Sequence, residues 1–93
     1  MDASRLKIGL TDYIAALERQ LVEMREQGDA LRSTWTRTRE VYRGEGAEHF
    51  AAAYDRCSQM LANYIETIER MLPILKDRLA ALERFDSSAN PGV

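Results

Sequence analysis

Two runs of apolar residues, each advancing by steps of three and four, flank the short stretch Gly44-Glu45-Gly46. Such steps keep one stripe of an α-helix turned toward a partner, so a chain of this kind folds as two long helices that reverse at its middle. In the first run the stripe is Ile14, Leu17, Leu21, Met24, Gly28, Leu31, Trp35, Thr38 and Tyr42, and Gly28 and Thr38 are its weak positions. In the second run it is Ala47, Phe50, Tyr54, Cys57, Leu61, Tyr64, Ile68, Met71, Leu75, Arg78, Leu82 and Phe85, broken only by Arg78. A flanking stripe, Ala51, Ser58, Ile65, Leu72 and Leu79, starts small and becomes large. It widens the apolar face toward the C-terminal end, and a wide face usually meets more than one neighbour. No segment alternates with period two, so the expected fold class is all-α.

The spacing predicts one domain over residues 1–93, with a helix over about 11–42, a turn over 43–46, a helix over about 47–85 and a flexible tail over 86–93. Thr11 is the expected N-cap, since its hydroxyl can accept from an otherwise unpaired backbone N–H. Pro73 lies inside the second helix, where it removes one donor and costs roughly 3 kcal/mol. The stripe continues in phase beyond it, so it is read as a kink; a break into two helices is the alternative. If the chain reverses around Gly44, residues whose numbers sum to about 89 face each other. The pairs are then Leu10 with Leu79, Ile14 with Leu75, Leu17 with Leu72, Leu21 with Ile68, Met24 with Ile65, Leu31 with Ser58, and Trp35 with Tyr54. Gly28 falls opposite Leu61, where a missing side chain permits close approach. Nearly every pair is apolar on both sides, and this agreement between separately read stripes is the mark of an antiparallel hairpin.

Composition narrows the function. The 93 residues carry 13 basic and 15 acidic side chains, a net charge of −2, whereas a nucleic-acid or membrane-surface protein needs a basic surplus. Cys57 is the only cysteine and His49 the only histidine, too few for an internal disulfide or a zinc site. No apolar run has signal-peptide or membrane-span length, which predicts a chain made in the cytoplasm without a cleavable leader. No phosphate-binding loop, metal-ligand set or nucleophile with a base is present, so no catalytic or cofactor residue is expected. A two-helix hairpin has a single contact strip, and chains this small usually need further stabilisation. Oligomerisation is the remaining route, giving a four-helix bundle as a homodimer or as a heterodimer with a similar small protein.

The turn carries the most specific signal. Tyr42-Arg43-Gly44 is followed by the small pair Gly46-Ala47 and then by Phe50 and Tyr54. A hairpin of this length with an aromatic-x-Gly turn, a small pair and two further aromatics resembles the WXG family of small type VII secretion substrates, the ESAT-like proteins. Tyr42 stands where the family carries tryptophan, and Trp35 lies one heptad earlier. The resemblance implies a dimeric helical hairpin, exported by a type VII system, whose turn and helix ends meet the secretion ATPase or a larger effector. It also implies a Tyr-x-x-x-Asp/Glu export signal on the protein or its partner. Here Tyr64 is followed at the fourth place by Ile68, with Glu69 one place late. Any signal is therefore expected from a partner chain, or the protein escorts a larger effector.

Other readings stand beside this one. An intracellular adaptor, chaperone or immunity-type protein, or a structural bundle subunit, would show the same stripes. The turn aromatic and glycine can simply make a good hairpin turn. Trp35 and the tyrosines are expected as core aromatics with their polar ends at the bundle edge, and Cys57 as a small buried core residue. His49 should face solvent. Asp55 with Arg56, and Glu66 with Glu69 and Arg70, are expected as surface pairs. Arg78 either lifts its head to solvent or meets an acid on a partner.

Overall fold

The computed structural model describes the backbone of residues 3–89 and the side chains of residues 3–85. Two helices account for nearly all of it: α1 over Ala3–Val41 and α2 over Glu45–Ala89. They lie antiparallel, the pair measuring 17 × 16 Å across. At 1.5 Å per residue the helices are roughly 58 and 67 Å long.

α1 begins eight residues before the expected start at position 11. Leu10, Lys7 and Ala3 extend the inward stripe in phase from Ile14, and all three are at least partly buried. Thr11 is therefore no cap: it sits inside the helix and its Oγ1 donates to the carbonyl of Lys7 at 2.8 Å. Thr36, Thr38 and Thr67 make the same backward bond to the residue four places earlier. At the other end α2 runs on through 86–89, part of the segment expected to be a flexible tail; residues 90–93 lie outside the described residues. Neither helix breaks at Pro73, which lies within α2. Its ring is exposed to solvent. The carbonyl of Glu69, which loses its usual donor there, can be reached by water on that outer face.

The turn is tighter than the expected 43–46, occupying 42–44. Gly44 has a φ of 104°, a left-handed conformation that L side chains strongly disfavour. Its carbonyl accepts from the N–H groups of Ala47 and Glu48, at 3.1 and 3.2 Å, which starts α2. Glu45 and Glu48 in the first turn suit the positive end of that helix. Arg43 Nη2 donates to the last-turn carbonyl of Glu40 at 3.3 Å.

The core lies toward the open end of the hairpin. Ile14, Leu17, Leu21, Ile68 and Leu72 are buried, and Leu10, Met24, Ile65, Met71, Leu75 and Leu79 pack against them. These are the side chains that the sum of 89 brings together. Gly28 also meets its expected neighbour, since a Cβ added there would stand 3.2 Å from Leu61 Cδ2. Trp35 stacks on Tyr54 with ring centroids 5.4 Å apart. Leu31, paired with Ser58 by the same rule, remains 45% exposed because the small partner leaves it uncovered.

Candidate functional site

α2 turns a different stripe inward from the one first read. The inward stripe, buried or partly buried, is Ala47, Ala51, Tyr54, Ser58, Leu61, Ile65, Ile68, Leu72, Leu75, Leu79 and Leu82, with Ala53, Met71 and Ala80 partly buried beside it. Both stripes share every seventh residue from Ala47 to Leu82, and they differ in whether the intervening member is three or four places on. The structure takes four. Phe50, Cys57, Tyr64, Arg78 and Phe85 are thereby left exposed beside the seam, and Met71 partly buried. This explains why Arg78 broke the first stripe, and it corrects the expectation for Cys57, which is exposed rather than in the core.

The choice divides the hairpin into two unlike edges. Along one edge α1 presents Glu18, Arg25, Arg32 and Arg39, and α2 presents Glu48, Asp55, Glu69 and Lys76. Arg25 Nη2 lies 2.6 Å from Glu69 Oε2, and Lys76 Nζ lies 3.3 Å from Glu18 Oε2. Glu69 thus bridges the helices, whereas Arg70 pairs locally with Glu66 at 3.7 Å, as expected for a surface pair. A groove on this edge is floored by Gly28, Ser58 and Ala62 and bordered by Arg25, Arg32 and Asp55.

Along the opposite edge α1 presents Leu6, Tyr13, Gln20, Gln27, Thr34 and Val41, and α2 presents the exposed stripe. Leu6 and Arg78 line one groove there, with Leu10, Ala81 and Leu82. Arg78 is the only charged residue on either line. Several large exposed apolar side chains lie on this side, Leu6, Tyr13, Val41, Phe50, Tyr64 and Phe85, with Met60 and Ile74 a step further round α2, whereas Ile8 and Val22 are exposed elsewhere on α1.

The turn motif forms one aromatic cluster. Tyr42 and Phe50 have centroids 6.3 Å apart, and Phe50 and Trp35 5.2 Å apart, which carries the stack on to Tyr54. Gly46 lies under the Tyr42 ring, and a Cβ there would stand 2.9 Å from the Tyr42 hydroxyl, so the ring would have to shift. Ala47 leaves room where the helices part, and Gly44 supplies the turn. Tyr42 and Phe50 remain 42% and 50% exposed, so the cluster forms an aromatic tip rather than a sealed core.

His49 is exposed, as expected. Among the described residues no group of histidine, cysteine, aspartate and glutamate could hold a metal ion, and no helix is long and apolar enough to cross a membrane. Two sequence signals point to the inward stripe of α2: Arg78, which interrupts the stripe first read, and the sum-of-89 pairs, whose members Ser58, Ile65, Leu72 and Leu79 lie on it. A stripe free of charges runs one residue to the side of Arg78.

Comparison with protein-family models, with curated proteins and with solved structures yields no match.

Proposed function

We propose that this chain is a WXG-like protein of a type VII secretion system, acting by protein–protein interaction as one half of a four-helix-bundle dimer. The observation that carries the reading is the turn. An aromatic residue two places before a left-handed glycine, Tyr42 before Gly44, packs over Gly46 and against Phe50 at the centre of a long hairpin. In this reading the inward seam holds each hairpin and the neutral edge supplies the dimer contact. The aromatic tip and helix ends are offered to the secretion ATPase or to a larger effector. The chain is exported folded.

One observation bears on how export is signalled. Ile68 occupies the fourth place after Tyr64, and at 3% exposure it is the most buried residue of the core. A carboxylate there would be buried without a partner, which the fold does not tolerate. The signal therefore comes from a second chain, or the protein serves as an adaptor for an exported effector. The same surface would also serve an intracellular adaptor or immunity-type protein.

A secretion assay in strains with and without the system's ATPase tests the reading. The expected result is extracellular protein that disappears when the ATPase is deleted. Equal amounts outside both strains overturn it, as does the absence of export from either strain with no effect on a larger partner.

A further inference from the structure

The two halves of α2 favour different stripes. In the open half, from Ile65 onward, the inward members Ile65, Leu72 and Leu79 are more apolar than their neighbours Tyr64, Met71 and Arg78. In the turn half, from Glu45 to Leu61, the order is reversed: Ala51 and Ser58 face inward, while Phe50 and Cys57 stand exposed beside the seam. Followed by its more apolar member at each step, the helix reads Phe50, Tyr54, Cys57, Leu61, Ile65 and Ile68, in steps of four, three, four, four and three. The repeated step of four at Leu61 is a stutter in the heptad, and a stutter locally unwinds the supercoil of two helices. The packing seen runs past the stutter and keeps the strict heptad through Ser58 to Ala51. A consequence shows on both helices: Leu31 stays 45% exposed opposite Ser58, and Phe50 stays 50% exposed.

The restraints on the two halves differ as well. Along the ionic edge, Arg25 with Glu69 and Lys76 with Glu18 fix the face that α2 turns to α1, and both pairs lie in the open half. One heptad toward the turn, the place on α2 that matches Arg32 is taken by Ala62, which offers no carboxylate. Arg32 turns instead to Asp29 on its own helix, at 3.7 Å. Rolling the turn half therefore leaves the ion pairs of the open half intact. Leu61 belongs to both stripes and lies against Gly28, so it can serve as the pivot. Phe50 has little distance to travel, since its ring centroid is already 5.2 Å from that of Trp35. The two stripes lie roughly 50° apart on a helix of 3.6 residues per turn. A straight helix drifts from a strict heptad by roughly 20° every seven residues, so the run from Leu72 back to Ala51 supplies that angle when the supercoil relaxes.

We infer that the turn half of α2 has a second packing, in which a roll of roughly 50° about Leu61 carries Phe50 and Cys57 into the seam and turns Ala51 and Ser58 out toward the ionic edge. The roll withdraws Phe50 from the aromatic tip. The hairpin thus has an exposed tip, the packing described above, and a covered one. A partner that touches Phe50 selects the exposed tip and shifts the chain toward it. The roll is a property of the hairpin alone; its use as a gate rests on the reading that the tip meets a secretion partner.

Disulfide trapping in the full chain tests the roll, with intramolecular bonds scored by intact mass after oxidation with diamide. Leu31→Cys paired with Ser58→Cys in a Cys57→Ala background captures the exposed tip. Leu31→Cys paired with the native Cys57 captures the covered one, and this bond is expected to form. Ser58→Leu fills the seam from the inward stripe and is expected to slow the Cys57 bond roughly tenfold, the equivalent of burying one leucine. Ala51→Glu sets a carboxylate in the seam of the exposed-tip packing and is expected to speed the same bond, with helicity unchanged by circular dichroism. Absence of the Cys57 bond overturns the inference. A Cys57 bond that forms equally fast in wild type, Ser58→Leu and Ala51→Glu overturns it too, because mere reach across the seam would explain it. The gate is read separately, as reduced export of Ala51→Glu and retained export of Ser58→Leu. Export of Ala51→Glu at the wild-type level sinks the gate alone. A wild-type chain that is never exported, yet forms the Cys57 bond, sinks the secretion reading and leaves the roll standing.

Discussion

From Leu10 to Met24 the hairpin is closed by aliphatic side chains, and all five of its buried residues, Ile14, Leu17, Leu21, Ile68 and Leu72, lie in that half. From Gly28 to Tyr42 the same register is filled by small residues, Gly28, Ser58, Ala51 and Ala47, and by the aromatic cluster of Trp35, Tyr42, Phe50 and Tyr54. No side chain of the turn half is buried. The difference follows from where the covalent connection lies. A pair near the turn closes a short loop, whereas Ile14 and Leu75 close one roughly threefold longer than Trp35 and Tyr54, at a cost about 1 kcal/mol greater. The turn half can be held by stacking and close backbone approach, while the open half needs apolar area to stay shut.

The largest effect should therefore come from the open half. Ile68→Ala is expected to cost about 2–5 kcal/mol in urea unfolding at fixed protein concentration, by lost burial and by the cavity left behind. Leu31→Ala in the turn half, at 45% exposure, is expected to cost well below half as much. Equal losses would mean that the two halves are closed by the same means. Next is Gly28→Val. Its Cβ would begin 3.2 Å from Leu61 Cδ2, and the added methyl groups force the helices apart at an expected cost of about 1–3 kcal/mol. A stabilised variant would show that close approach does not hold the turn half. The smallest effect belongs to the ionic edge. Arg25 and Glu69 are about half exposed, so a double-mutant cycle on Arg25→Ala and Glu69→Ala should give a coupling of about 0.2–1 kcal/mol that shrinks as salt is raised. A salt-independent coupling would mean that the pair is shielded from solvent.

The hairpin and its register were legible because each depends on the spacing of large apolar residues, which the sequence states directly. Ile14, Leu17, Leu21, Ile68 and Leu72 met as the sum of 89 required, and Gly28 met Leu61. The start of α1 was hidden because Lys7 and Ala3 continue the stripe without adding an aliphatic signal, while Thr11 looked like a cap. Read alone, α2 offers two overlapping stripes, and the sum-of-89 partners Ser58, Ile65, Leu72 and Leu79 already belong to the inward one. From Ala47 to Leu75 this helix is mostly apolar at both the third and the fourth place after each shared residue, Ser58 and Arg78 excepted, so periodicity alone separates the two stripes only weakly. In the structure Ile65, Leu72 and Leu79 pack against α1, and Glu69 and Lys76 then reach Arg25 and Glu18 while Phe50, Tyr64 and Arg78 lie on the opposite edge. The same ambiguity placed Cys57 in the core, whereas it is exposed beside the inward stripe.

Trp35 is the single tryptophan of the chain, and it lies inside the aromatic cluster of the turn half. Its emission is consequently a local thermometer. It reports whether the rings around the turn remain stacked, and it is far from the aliphatic core. Far-ultraviolet dichroism, by contrast, averages over both helices. If the hairpin melts as one cooperative unit, the two signals trace a single curve; if the open end frays first, the dichroism falls while the fluorescence holds. The placement of one indole thus lets the native chain, without any label, reveal from which end it comes apart.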